Sequence, residues 1–166
     1  MYQAGQQVVY GIHGVCTVTN IETKIVDRKK IPYYVLEPVD QPGACYYVPT
    51  EKPAAVAKMN PLLTAEEWQT LVSEVIAEQT VWINDENQRK LRYRELIGCG
   101  DRRAILNVVK ALYTHKRQQA ELGKKFHLCD ENFLRDGERL LCSEMSVIMN
   151  ISTSEALNRL RTDLDY

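Results

Sequence analysis

The chain has no apolar run approaching the roughly 18 residues that a membrane-spanning helix needs, which argues against a helical membrane protein. Its opening, Met1-Tyr2-Gln3-Ala4-Gly5, has neither a basic nor an apolar stretch. Nothing there marks the chain for export, so a cytoplasmic protein is expected. No C-x-x-C pair occurs, and Cys16, Cys45, Cys99, Cys129 and Cys142 are odd in number and widely scattered. That pattern argues against a disulfide framework and supplies no metal-ligand spacing, so free thiols and no metal are expected.

Catalytic signatures are missing as well. The sequence contains no G-x-S-x-G, H-E-x-x-H, G-x-x-x-x-G-K-[ST] or G-x-G-x-x-G. Gly98-Cys99-Gly100 lacks a third glycine and follows a helical pattern where a nucleotide-binding fold needs a strand, so it is read as a helix break. His13, His115 and His127 are too far apart in sequence to declare a triad or a metal site. No catalytic residue and no cofactor is assigned, and a non-enzymatic role is expected. An enzyme whose site is dispersed over the helical half leaves no residue set to nominate. The chain also lacks an excess of either charge, with a formal net charge of -1. A free-standing DNA binder is usually more basic overall, so binding to naked DNA should be poor.

What is present divides in two. At 166 residues, with 45% hydrophobic and 26% charged residues, the chain can hold one ordinary domain or two small ones. Residues 1 to about 50 carry short alternating runs: Gln7 to Tyr10, Gly14 to Glu22, Ile31 to Glu37 and Ala44 to Val48. Turn chemistry separates them at Gly11 to Gly14, at the charged tip Asp27-Arg28-Lys29-Lys30, and between Pro38 and Gly43. From about residue 51 the apolar period changes from 2 to 3.6. The expected fold is therefore α+β, with a small Tudor-like or SH3-like β-barrel over residues 1–55 and an all-helical bundle of about five helices over 56–166.

Helix starts are marked in the second half. Thr64-x-x-Glu67 is a capping box ahead of the stripe Trp68, Leu71, Val72, Val75 and Ile76. Asp85-x-x-Gln88 opens a helix whose polar residues outnumber its apolar ones, which predicts a surface helix. Asp101 caps the next, with Ile105, Val108, Val109 and Leu112 on one side, and Gly123 ends it. Another helix starts near Asp130, and Ser152-x-x-Glu155 is a second capping box. Between Asn87 and His127 eleven basic residues face only three acidic ones. Charge of one sign held in one segment suggests a polyanion contact, the alternative being a solvated helical face.

Gly5-x-x-Val8-Val9-Tyr10-x-x-His13-Gly14-Val15, Ile21-Glu22, Tyr33-Tyr34-Val35-Leu36 and Val48-Pro49 together resemble the RNA polymerase-interacting module of the CarD/CdnL family, also found in transcription-repair coupling factor. Gly100-Asp101, Val108-Val109-x-x-Leu112 and Leu140-Leu141-x-x-Glu144 continue the likeness through the helical half. In such a barrel His13 is read as a turn residue bonding to backbone rather than as a catalyst. The resemblance implies docking on the β subunit of bacterial RNA polymerase through Thr23, Lys24, Tyr46, Tyr47 and Val48. It further implies a helical domain that touches promoter DNA at the upstream edge of the melted region and stabilises the open complex.

Two departures qualify the transfer. An arginine common on the polymerase-facing strand is Tyr47 here, and an aromatic hydroxyl cannot reproduce a bidentate guanidinium. The family's DNA-wedging tryptophan falls at Glu86, with Trp82 four residues earlier. Trp82 either reaches the same face, if the helix begins earlier, or packs in the core. Candidate DNA contacts are thus Trp82, Arg89, Lys90, Arg92, Arg94, Arg102 and Arg103, with Arg89 and Lys90 foremost for phosphate. The alternative reading is a protein-interaction adaptor without DNA contact. Whether an unpaired barrel edge leaves a monomer or a strand-swapped dimer stays open.

Overall fold

Alternation of apolar and polar residues builds five strands in the first part of the chain: β1 (Gln7–Tyr10), β2 (Val15–Val26), β3 (Lys29–Pro38), β4 (Tyr46–Pro49) and β5 (Met59–Pro61). All pairings are antiparallel and the strand order is β4-β3-β2-β1-β5. Every strand contributes to one apolar core of Val8, Cys16, Val18, Tyr34, Leu36, Val48 and Met59, so the sheet curls around it. The interruption of the first run is a single 3-10 turn, Gly11–His13. Gly11 and Gly14 bracket it at φ +47° and +72°, a region that favours glycine. His13 lies in this turn, its ring 4.0 Å from that of Tyr46 and 5.3 Å from that of Tyr10.

The computed structural model describes residues 1–166, which divide into the units Met1–Leu62 and Leu63–Tyr166. The first unit runs past residue 55, where composition puts the boundary. A one-turn helix α1 (Pro53–Val56) leads to β5, which pairs with β1 and buries Met59. Three residues are too short to show a period. The β2–β3 hairpin is also longer than expected: its loop is only Asp27-Arg28, both at positive φ, and Lys29 and Lys30 already belong to β3. Two such residues make a type I′ turn, which matches the strand twist.

The second unit holds α2 (Ala65–Ala77), α3 (Glu86–Gly98), α4 (Arg102–Glu121), α5 (Leu128–Met149) and α6 (Thr153–Asp163). Thr64 and Ser152 form capping boxes, and Asp85 and Asp101 accept from the N–H groups of Gln88 and Ala104. Gly123 and Asn150, at φ +65° and +52°, terminate α4 and α5. The core joins Trp68, Val72 and Val75 to Ile105, Val109 and Leu112, and to Leu134, Leu141, Met145 and Leu160. No helix is long and apolar enough to cross a membrane. One expectation is corrected here: α3 is not a plain surface helix. It buries Arg89, Tyr93 and Ile97, one residue per turn at i, i+4 and i+8, a stripe too narrow and too polar to register as apolar.

Candidate functional site

In the first unit β4 is an edge strand, paired only with β3. Its alternation puts Val48 fully in the core and turns Tyr46 inward against His13 and Tyr10, while Tyr47 stays 44% exposed on the opposite face. The Thr50 N–H donates to the Pro32 carbonyl at 3.0 Å. Counting back along the ladder, Tyr47 is the β4 residue that turns both its N–H and its C=O outward. Lys24 of β2 reaches over the Tyr47 ring, Nζ 3.1 Å from the centroid, a cation–π contact. Neighbouring Thr23 is exposed. Of the five residues named for docking, Lys24 and Tyr47 thus meet on one face beside an open edge. Val48 and Tyr46 support that edge from inside.

The basic segment of the second unit looks very different once folded. Arg89 is only 4% exposed and forms a two-pronged pair with Asp130, itself buried, at 2.9 and 2.8 Å. Its remaining nitrogen donates to the Ile83 carbonyl at 2.9 Å. Arg102 clamps the buried Glu144 at 2.5 and 2.8 Å, and Glu144 also accepts from the Leu63 N–H. Arg103 bridges Glu74 and Glu78, Lys90 pairs with Glu86 at 2.5 Å, and Arg92 pairs with Glu95 at 3.3 Å. Lys116 and Arg117 pair with Glu131 and Asp165, and Lys110 donates to the carbonyls of Val75, Ile76 and Glu78 at the end of α2. Arg94, Lys124 and Lys125 are left exposed without an ion-pair partner.

Arg89 and Arg102 are therefore corrected from surface cations to core ties, because their partners come from α5, far along the chain. Trp82 lies ahead of α3, not on it. It is half-buried, stacked on His115 at 3.7 Å and 12°, with the Arg89 guanidinium 4.5 Å from its ring and Tyr93 edge-on at 6.4 Å. Burial lowers the His115 pKa, which keeps the imidazole neutral against the indole at pH 7. The Phe126 ring lies 6.2 Å from His115 and belongs to the loop that carries Lys124 and Lys125. Both lysines follow the end of α4, where positive charge suits the helix dipole. Glu121 stands only three positions before Lys124, so nothing in the local sequence marks the two lysines as unpaired.

All five cysteines are free, and burial pushes the Cys16 and Cys142 thiols up to about 12, away from nucleophilic use. No group of three or more His, Cys, Asp or Glu is placed to hold a metal ion.

The arrangement in the first unit coincides with a family assignment. Residues 2–60 match the CarD-like/TRCF RID domain. The match falls within the first unit, Met1–Leu62, and does not extend to the helical unit. That domain family is a non-catalytic, RNA polymerase-interacting one, which supports a transcription-related interaction function for the matched residues. No curated protein matches the chain.

Proposed function

We propose that the protein is a transcription regulator that docks its RID domain on the β subunit of bacterial RNA polymerase and presents its helical unit to promoter DNA beside the melted region. The observation that carries this reading is the RID match over residues 2–60, which spans the whole open β4 edge. Tyr47 offers the backbone pair for strand addition, and Lys24, seated on its ring, supplies a cation for a carboxylate of the partner. Thr23 is exposed next to Lys24, its side chain on the opposite face of the strand. In the helical unit the reading rests on Trp82 with Lys124 and Lys125 nearby. Lys90, Arg92, Arg94 and Arg103 are exposed or half-exposed contributors. Phosphate contacts of this kind position a protein without reading sequence.

The test is capture of full-length protein by the polymerase β lobe. Wild type is expected to bind, and Lys24→Glu and Tyr47→Ala to weaken binding at least about tenfold, as removal of central contacts does. Equal binding by all three would remove the β4 edge from the interface, and no binding by any would remove the docking reading. A second reading, an adaptor without DNA contact, is favoured by one observation: most cations of the basic segment already have internal partners.

A further inference from the structure

Beyond Val18, strand β2 has a neighbour on one side only. β1 pairs with Val15, Cys16 and Thr17, and the last bonds on that side join Val18 to Gly5 and Gln6. From Asn20 to Val26 the strand pairs with β3 alone. The register decides which backbone groups face the open side. Thr23 stands opposite Pro32, which has no N–H and whose carbonyl accepts from Thr50 just past β4. Pro32 therefore turns its backbone away from β2, and Thr23, in a non-hydrogen-bonded pair, turns its own N–H and C=O outward. Ladder alternation makes Ile21 and Ile25 do the same. The Ile21 N–H is held by the Asn20 side-chain oxygen at 2.8 Å, consistent with its facing no strand.

Along this edge the sequence reads Ile21-Glu22-Thr23-Lys24-Ile25, which is complementary to itself when a second copy runs antiparallel about Thr23. Ile21 then meets Ile25, Glu22 meets Lys24, and Thr23 meets Thr23. The isoleucines are 43% and 73% exposed and gain an apolar neighbour. Glu22 and Lys24 occupy the non-hydrogen-bonded positions, where cross-strand Cα atoms come within about 4.5 Å. Opposite-charge and Thr–Thr cross-strand pairs are both favourable. The charges also select the register. A slip of two residues one way sets Glu22 against Glu22, and the other way sets Lys24 against Lys24.

We propose that the protein forms a two-fold dimer in which the free edges of two β2 strands pair antiparallel about Thr23 and join two sheets into one. Its interface is isologous and lies on the side of the β2–β3 ribbon away from β4. The dimer does not depend on the polymerase reading, although Lys24 serves both surfaces. Sedimentation equilibrium of the full chain at low salt tests it. Wild type is expected to self-associate. Glu22→Lys and Lys24→Glu each turn two attractive pairs into two repulsive ones, so each should raise the dimer Kd at least about tenfold. Mixing these two variants restores both attractive pairs in a heterodimer, and the double variant Glu22→Lys/Lys24→Glu restores the homodimer. A wild type that stays monomeric into the millimolar range overturns the proposal. So do single variants that dimerise like wild type, or a mixture of them that stays monomeric while each retains its native circular dichroism.

Discussion

Arg89 illustrates how far a residue's partner can outweigh its type. Both members of its pair with Asp130 are almost fully buried, and each holds the other in a place where neither alone is tolerable. Arg89→Ala leaves the Asp130 carboxylate without its cation, and a loss of about 3–5 kcal/mol is expected. Arg89→Met with Asp130→Leu removes both charges and should recover most of that loss. Urea unfolding of the three proteins decides it. If Arg89→Ala unfolds at the wild-type midpoint, the pair contributes nothing to the fold, and Arg89 returns to the list of surface cations. Exposed Arg94→Ala is the control, expected within about 0.5 kcal/mol of wild type. The sequence displays the arginine and the aspartate with equal clarity but not their meeting, since 41 positions separate them. The reverse holds for Lys24 and Tyr47, which the family likeness named together and the twisted sheet brings into contact.

At the scale of elements, the contact between α4 and α5 hinges on a missing side chain. A Cβ at Gly137 would lie 2.6 Å from Val109 Cγ2, and a β-branched valine in a helix has one strongly preferred rotamer with which to yield. Alanine normally improves an exposed helical glycine position by about 1 kcal/mol. Here the clash should reverse the sign, and Gly137→Ala is expected to cost about 1–3 kcal/mol. Adding Val109→Ala to that variant should cost less than Val109→Ala does alone, a non-additivity that denaturant midpoints measure directly. Strict additivity would show that the two helices separate without strain.

Elements also differ in how legible they are. The strands β1 to β4 and helices α2, α4 and α6 carry their own period and caps, so local sequence declares them. β5 is held in place by β1 and Met59, and α3, though its start is declared by the Asp85 cap, owes its burial to Asp130 beneath its arginine, so both depend on distant residues. The hairpin loop looked four residues long because lysines in a strand resemble lysines in a turn. Backbone pairing, which places Lys29 opposite Val26, is invisible to composition.

For the molecule as a whole, the near-zero net charge and the strongly basic segment cease to conflict once ion pairs are traced. Acidic residues of α2, α3, α5 and the C-terminal end pair with seven of its eleven cations, leaving a weak electrostatic footprint. Weak DNA affinity is workable for a protein already tethered to polymerase, because tethering replaces a bimolecular encounter by a high local concentration. On this argument Lys124→Glu/Lys125→Glu should leave capture by the β lobe unchanged and shorten open-complex lifetime. It should also reduce the slope of log affinity against log salt by about 1 for each lysine that touches phosphate. The combination matters more than either part. Unchanged capture with an unchanged lifetime points to the adaptor, while reduced capture means that the substitution acts on the polymerase contact itself. Only a shortened lifetime at full capture assigns the helical unit to DNA.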